Sequence, residues 1–548
     1  MTCFWVETGR PTLAARLVFR HGYADETLPR HGWTHLLEHL ALHGQQRGTL
    51  MVNGSVGPLL TEFLSHGPHD LVVDHLSTLT QRLRQLDGSR LAAERKVLGA
   101  ESDQQNRALA TALSMRYGAR GPGVANYPNF GLEAATAEGL HQLSRTVFTR
   151  ENAALVLDGP PPSGLRLDLP SGSLLQPMPV EPIESRFPAA YVEPGGLLLS
   201  GTVPRSPSTH LVADALQALL VRELRDRAAG AYSPFATYEH VDAETSILVA
   251  GSDTTPELRE VVVDLLVTLL QDLRTSGMPA ELVEDARANL LASAADPYNA
   301  FGIASSLAYR HLRGLDEVSA DDVVDEIVRT GDDEVSRTVM AFHGTLLLGV
   351  EPDTTWNNQF RMIRQEIRPP LASGRRLRHR DWPADRTTLR WDEECIQVSH
   401  PRDGGYIIPF SEVEGVMTHT DGRRAVVDRQ GWGRWIDPAA WHRGHDAVAA
   451  LDERVPAERT VPALGVETPR PFARLSAPVR WTTAVRSLYA RSAVFSTVVI
   501  TAVLAAWFVL VVLRVPDGTQ GAAALTVWPL AAYLFWFSRK HVAPRSTE

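Results

Sequence analysis

"RHGWTHLLEHLALHG", residues 30–44, sets two histidines and a glutamate inside a run of leucines. Read as a helix, Leu36, Leu37 and Leu40 make an apolar stripe. His35 and His39 project from one face a turn apart, with Glu38 beside them. A greasy helix gains nothing from three such groups unless they are satisfied or used. Two neutral imidazoles with a neighbouring carboxylate suit zinc, whose bonds to histidine nitrogen are about 2.0–2.1 Å. The plain alternative is three satisfied polar groups at a helix–helix contact.

Zinc needs a third protein ligand and an open position. Downstream, "ERKVLGAESDQ" places Glu94 and Glu101 seven residues apart, two helical turns, so both carboxylates share one face. Leu91 and Leu98 form an apolar pair on the same helix and could hold it against the histidine helix. Without the histidines, a solvated helix face would be the ordinary reading of these two glutamates.

The order H-x-x-E-H reverses the commoner H-E-x-x-H and is the inverzincin signature. The longer segment "FRHGYADETLPRHGWTHLLEHLALHG" resembles the active-site segment of the pitrilysin–insulysin zinc peptidases, which include the mitochondrial processing peptidase and its bacterial relatives. Gly22, Glu26, Gly32 and Gly44 share in the match. The resemblance implies that His35, His39 and Glu101 bind zinc, that Glu38 is the general base, and that Glu94 supports the site from behind. "MVNGSVGPLLTEF" resembles the family's substrate-binding edge strand, with Asn53 at its marker position. "LRDRAAGAY" places Arg225 and Tyr232 seven apart, like the family's pair that contacts substrate near the metal. The gap from His39 to Glu101 is somewhat shorter than is usual in the family. Because the family closes a chamber from two halves of two units each, the resemblance also implies a homodimer or a partner subunit, with peptides or unfolded segments as substrate.

Working outward, the elements predict an α+β chain. Strands at 12–20 and 151–159 enclose helices at 34–43, 69–86 and 90–113, giving a zinc-bearing unit over residues 1–160. A Pro-, Gly- and Ser-rich stretch, 161–185, has the composition of a linker. Residues 186–352 repeat the same order of elements as a second peptidase-like unit. An arginine-rich connector, 353–390, leads to a small mostly-β module at 391–450, where "RDGG" and "TDGRR" are hairpin signals. This module weakly resembles a pleckstrin-like domain. A further linker covers 451–491.

The 548 residues are too many for one ordinary core. With a net charge of −10, a nucleic-acid role has no electrostatic support across the chain as a whole. Two distant cysteines, Cys3 and Cys395, fit a reducing compartment rather than a disulfide framework. "MTCFWVETGR" lacks a basic flank followed by an apolar core, so no secretory leader is expected. From Ala493 to Leu513, 21 residues carry no charge, enough for a bilayer core of about 30 Å. A second apolar run, 521–538, follows a short polar turn, so residues 492–538 read as a transmembrane hairpin. Arg480, Arg486 and Arg491 before it, and Arg539, Lys540 and Arg545 after it, predict both ends in the cytoplasm. The sequence thus predicts a multi-pass cell-membrane protein whose peptidase part is cytoplasmic.

Overall fold

A computed structural model describes residues 1–489, except 47, 102–106, 129, 184–186, 194–195, 228–230, 232, 316–317, 357–359, 364–373, 402–403 and 464–471. The expected membrane hairpin at 492–538 lies outside the described residues, as does Tyr232. Among the described residues, no helix is long and apolar enough to cross a membrane.

The chain forms two compact units. The first holds residues 1–366, 411–436 and 455–467, and the second holds 367–410, 437–454 and 468 onward. Within the first unit, one lobe contains β1 (Thr2–Val6), β2 (Leu13–Phe19), α1 (Trp33–Leu42), β3 (Met51–Val56), β4 (Thr61–Gly67), α2 (His69–Arg84), α3 (Leu91–Glu101), α4 (Arg107–Tyr117), α5 (Ala137–Val147) and β5 (Ala153–Asp158). Its sheet runs β1-β5-β2-β4-β3, with β1 and β5 parallel and the other pairs antiparallel. β5 is buried along its whole length, as a strand covered on both faces must be. In β4, buried and half-buried residues alternate, the mark of a sheet with one face turned to the core. Phe19, Phe63, Phe148, Leu36, Leu37 and Leu76 fill that core.

The second lobe runs through β6 (Ala189–Val192), β7 (Leu197–Pro204), α6 (Pro207–Leu220), a π-helical turn at Val221–Arg227, β8 (Phe235–His240), β9 (Thr245–Ser252), α7 (Arg259–Ser276), α8 (Ala280–Ala295), α9 (Ala300–Leu312), α10 (Ala320–Arg329), α11 (Asp332–Gly344), β10 (Leu347–Val350) and β11 (Arg361–Met362). Apart from the added β11, its strand order β6-β10-β7-β9-β8 repeats that of the first lobe position by position. The lobes meet where Ala304, Ala308 and Leu312 of α9 pack on Val18, Ala154 and Val156.

Three boundaries differ from the sequence reading. The helix expected over 90–113 is two helices, α3 and α4, on either side of residues 102–106. Residues 165–175 are not a free linker: Leu165, Leu167, Leu169 and Leu175 pack on the first core, and Asp168 N donates to Thr80 Oγ1 at 3.1 Å. Alternate leucines in an otherwise polar stretch supply that adhesion. The β module expected over 391–450 is two separate sheets. β12 (Arg375–Arg378), β13 (Thr388–Trp391), β14 (Cys395–His400) and β15 (Gly404–Pro409) make an antiparallel meander in the second unit, which also holds α12 (Gly444–Arg454) and α13 (Ala477–Tyr489). β16 (Val413–Thr418), β17 (Arg424–Asp428), β18 (Gly433–Ile436) and β19 (Thr460–Pro462) form their own sheet in the first unit. Hairpin signals mark turns but not which strands pair, so the division at 410/411 was hidden, as was β19 inside the expected 451–491 linker.

Candidate metal centre

α1 is fixed at its start by backbone and charge together. Gly32 caps it in the left-handed region, at φ 95°, which glycine adopts without strain. The buried Glu26 carboxylate accepts from Gly32 N at 2.9 Å, Thr34 N at 2.7 Å and Thr34 Oγ1 at 2.7 Å, and lies 3.1 Å from His31 Nδ1. Burial alone would push this carboxyl up, but the hydrogen bonds from His31 and Thr34 outweigh it and hold Glu26 below its ordinary range. A carboxylate at a helix N-terminus also complements the helix dipole. Leu36, Leu37, Leu40 and Ala41 anchor the opposite face in the core.

On the remaining face, the ligand atoms of His35, Glu38 and His39 all lie within 4.8 Å of one another. α3 brings Glu101 to them: its Oε2 is 3.4 Å from His39 Nε2 and 3.8 Å from His35 Nε2. Two bonds of about 2.05 Å at a tetrahedral angle separate their ligand atoms by roughly 3.3 Å. The 3.4 Å between Glu101 and His39 matches that spacing and the 3.8 Å to His35 is wider, while imidazole nitrogens and a carboxylate oxygen are the donor types zinc takes. Glu94, one helical face with Glu101, sits behind the cluster. Its Oε2 is 3.4 Å from His39 Nδ1, and its Oε1 is 3.4 Å from His43 Nδ1 and 3.3 Å from Arg90 Nε. A carboxylate against Nδ1 fixes the ring so that Nε2 faces the cluster. Leu98 is buried and Leu91 half-buried on the same helix, which seats α3 in the first core.

Burial, with His39 adding to it, pushes His35 down to about 4, so its imidazole is neutral and free to donate a lone pair at neutral pH. Burial likewise raises Glu38 to about 7; Glu101 and Glu94 add to the rise and His39 opposes it. That is the range in which a carboxylate accepts and returns protons at neutral pH.

β3 is the edge of its sheet, and Asn53 is exposed on it. Two features escaped the sequence reading. Gly54 lies against Glu38, and a Cβ there would stand 2.1 Å from Glu38 Oε1. A glycine inside a strand is the signal that would have found it, since it often marks a close backbone or side-chain approach. A cleft of about 270 Å³ also opens beside His35, walled by Tyr23, Val56, Leu109, Leu113 and Pro128. Nothing local in the sequence marks it, because its walls come from separate elements. Arg225 is exposed on the π-helical turn of the second lobe.

Residues 174–290 match a family model described as the peptidase M16 inactive domain. His35, Glu38, His39, Glu94 and Glu101 all precede that segment. No curated protein matches the sequence. The fold is similar to that of a protease from Helicobacter pylori, at 16% identity and TM-score 0.52, over 64% of this chain and 96% of that one. A peptidase M16 inactive domain from Pseudomonas fluorescens is similar at 14% identity and TM-score 0.51, over 66% and 96%. A chain of complex III2 from Candida albicans is similar at 12% identity and TM-score 0.51, over 64% and 92%. Residues 174–290 are thus similar to the peptidase M16 inactive domain, and the chain shares its fold with these three structures.

Proposed function

We propose that the chain is a zinc-dependent endopeptidase acting on peptides or unfolded segments. The observation that carries this reading is the convergence of His35, His39 and Glu101 from two helices, with Glu38 beside them. A zinc ion held there supplies a Lewis acid that polarises the scissile carbonyl and acidifies water. Glu38 takes the proton from the attacking water and hands it to the leaving amine. Glu94 holds His39 in orientation. An extended peptide adds to the open edge of β3 beside Asn53, where backbone hydrogen bonds read the main chain rather than the sequence. Arg225 and Tyr232, from the second lobe of a second copy or a partner subunit, steady the substrate near the carbonyl. The apolar runs at 493–513 and 521–538 tether the peptidase to the cytoplasmic face of the cell membrane.

A second reading is a non-catalytic, peptide-binding subunit of the same fold, and the inactive-domain match favours it. Hydrolysis of a quenched peptide by the full chain separates the two. The endopeptidase cleaves, and Glu38→Gln abolishes cleavage while zinc remains bound. Zinc-loaded protein with no Glu38-dependent cleavage supports the second reading instead.

A further inference from the structure

The sheet β16–β19 belongs to neither lobe's main sheet, yet it is seated on the first lobe through glycines that leave no room for a side chain. Gly415 of β16 lies against Phe130 and Leu28; a Cβ there would stand 2.8 Å from the Phe130 ring and 2.9 Å from Leu28 Cδ2. Gly118, at φ 68°, faces the carbonyl of Arg429 so closely that a Cβ would be 2.0 Å from its oxygen. Ala119 N donates to that same oxygen at 3.3 Å, Tyr127 OH donates to Gly431 O, and Arg120 pairs with Glu414 at 2.6 Å. Leu28, Ala119 and Phe130 share one small apolar core with Val427 and Val461.

The first-lobe side of this seam leads directly to the histidine helix. Gly131, next to Phe130, donates its N–H to His31 O at 3.1 Å and accepts from Trp33 Nε1 at 2.9 Å. His31 and Trp33 flank the Gly32 cap of α1, and Leu28 sits two residues after the capping Glu26. Pro128 walls the cleft at His35.

We infer that the β16–β19 sheet is a positioning element for the candidate metal centre, with Leu28, Tyr127 and Phe130 as positioning residues that pass its seating to the start of α1. Loosening the seam lets the N-terminal turn of α1 shift, and His35 and Glu38 shift with it. The functional part of this inference rests on the endopeptidase reading; the mechanical part does not.

Two full-chain variants test it, Gly415→Val, which wedges the seam open, and Tyr127→Phe, which removes one hydroxyl and leaves packing intact. Leu266→Ala in α7, in the second-lobe core, serves as a destabilised control. Amide exchange is read over a peptide covering residues 28–43, and kcat and KM are read separately. Both variants are expected to speed exchange in 28–43 and to lower kcat by about tenfold or more with KM held, while the control does neither. Unchanged exchange in 28–43, alongside faster exchange in 411–436, overturns the coupling. If the wild type cleaves nothing, the endopeptidase reading falls by itself, and the exchange arm still decides whether the seam positions α1.

Discussion

Gly54 and Glu38 touch across the gap between β3 and α1: where glycine has a hydrogen, any other residue would place a carbon 2.1 Å from the Glu38 carboxyl oxygen. The edge strand β3 is therefore also the wall that sets where the Glu38 carboxylate stands, and on the proposed reading the peptide's edge and the general base are fixed together. Gly54→Ala is expected to push Glu38 aside and lower kcat by roughly a hundredfold, since displacements near 1 Å at a reacting centre have that effect. Zinc content should not change, because neither His35, His39 nor Glu101 is touched. Steady-state kinetics beside metal analysis checks both halves.

Glu94 stands 3.4 Å from His39 Nδ1, and on the proposed reading it orients the ring rather than binding the metal. Glu94→Ala should leave a metal-binding protein whose zinc affinity is weaker by about 10–100-fold, the usual cost of removing such a partner. Chelator competition measures it. Glu101→Ala should lose more, since it removes a ligand; equal losses from the two variants would argue against the assigned roles.

The metal-free protein carries a pH signature at Glu38. Its folded-state value is about 7 against an ordinary 4.5, so the folded chain holds this proton more tightly than the unfolded chain does. The associated stability is complete below pH 4.5 and drains away as pH rises through 7, by about 3 kcal/mol at most. Glu38→Gln removes the titration. Metal-stripped Glu38→Gln is thus expected to gain on the metal-stripped wild type between pH 5 and 8, as judged by denaturant midpoints. A constant difference across that range contradicts the assignment.

Glu26 should matter through α1 alone. Glu26→Ala withdraws acceptors from Gly32, Thr34 and His31 at a buried helix start, a loss of about 2–4 kcal/mol. Thermal unfolding should show that loss, and zinc affinity should fall with it because His35 sits in the first turn.

The helix periodicity of residues 34–43 put His35, Glu38 and His39 on one face, and the seven-residue spacing put Glu94 and Glu101 on another, because both regularities are local. That the two faces meet was implied by the family resemblance, since the packing of α1 on α3 is not local. The edge position of β3 was expected from the resemblance of residues 51–63 to an edge strand, but the wall made by Gly54 depends on how β3 packs on α1, which periodicity does not encode. The division of the β-rich segment at 410/411 was invisible because periodicity does not encode which strands pair. β16 pairs with β19 some forty residues on, across a stretch that belongs to the other unit. The alternate leucines at 165, 167 and 169 were legible as a strand-like pattern, but proline and glycine around them drew the reading towards a linker.

Zinc stoichiometry of the purified full chain, with His39→Ala and Glu101→Ala in parallel, tests the central claim most directly. One zinc per chain, lost in the His39 variant and sharply weakened in the Glu101 variant, is the predicted result. Wild-type protein that takes up no zinc when it is supplied, or that holds zinc equally well without His39, would contradict it.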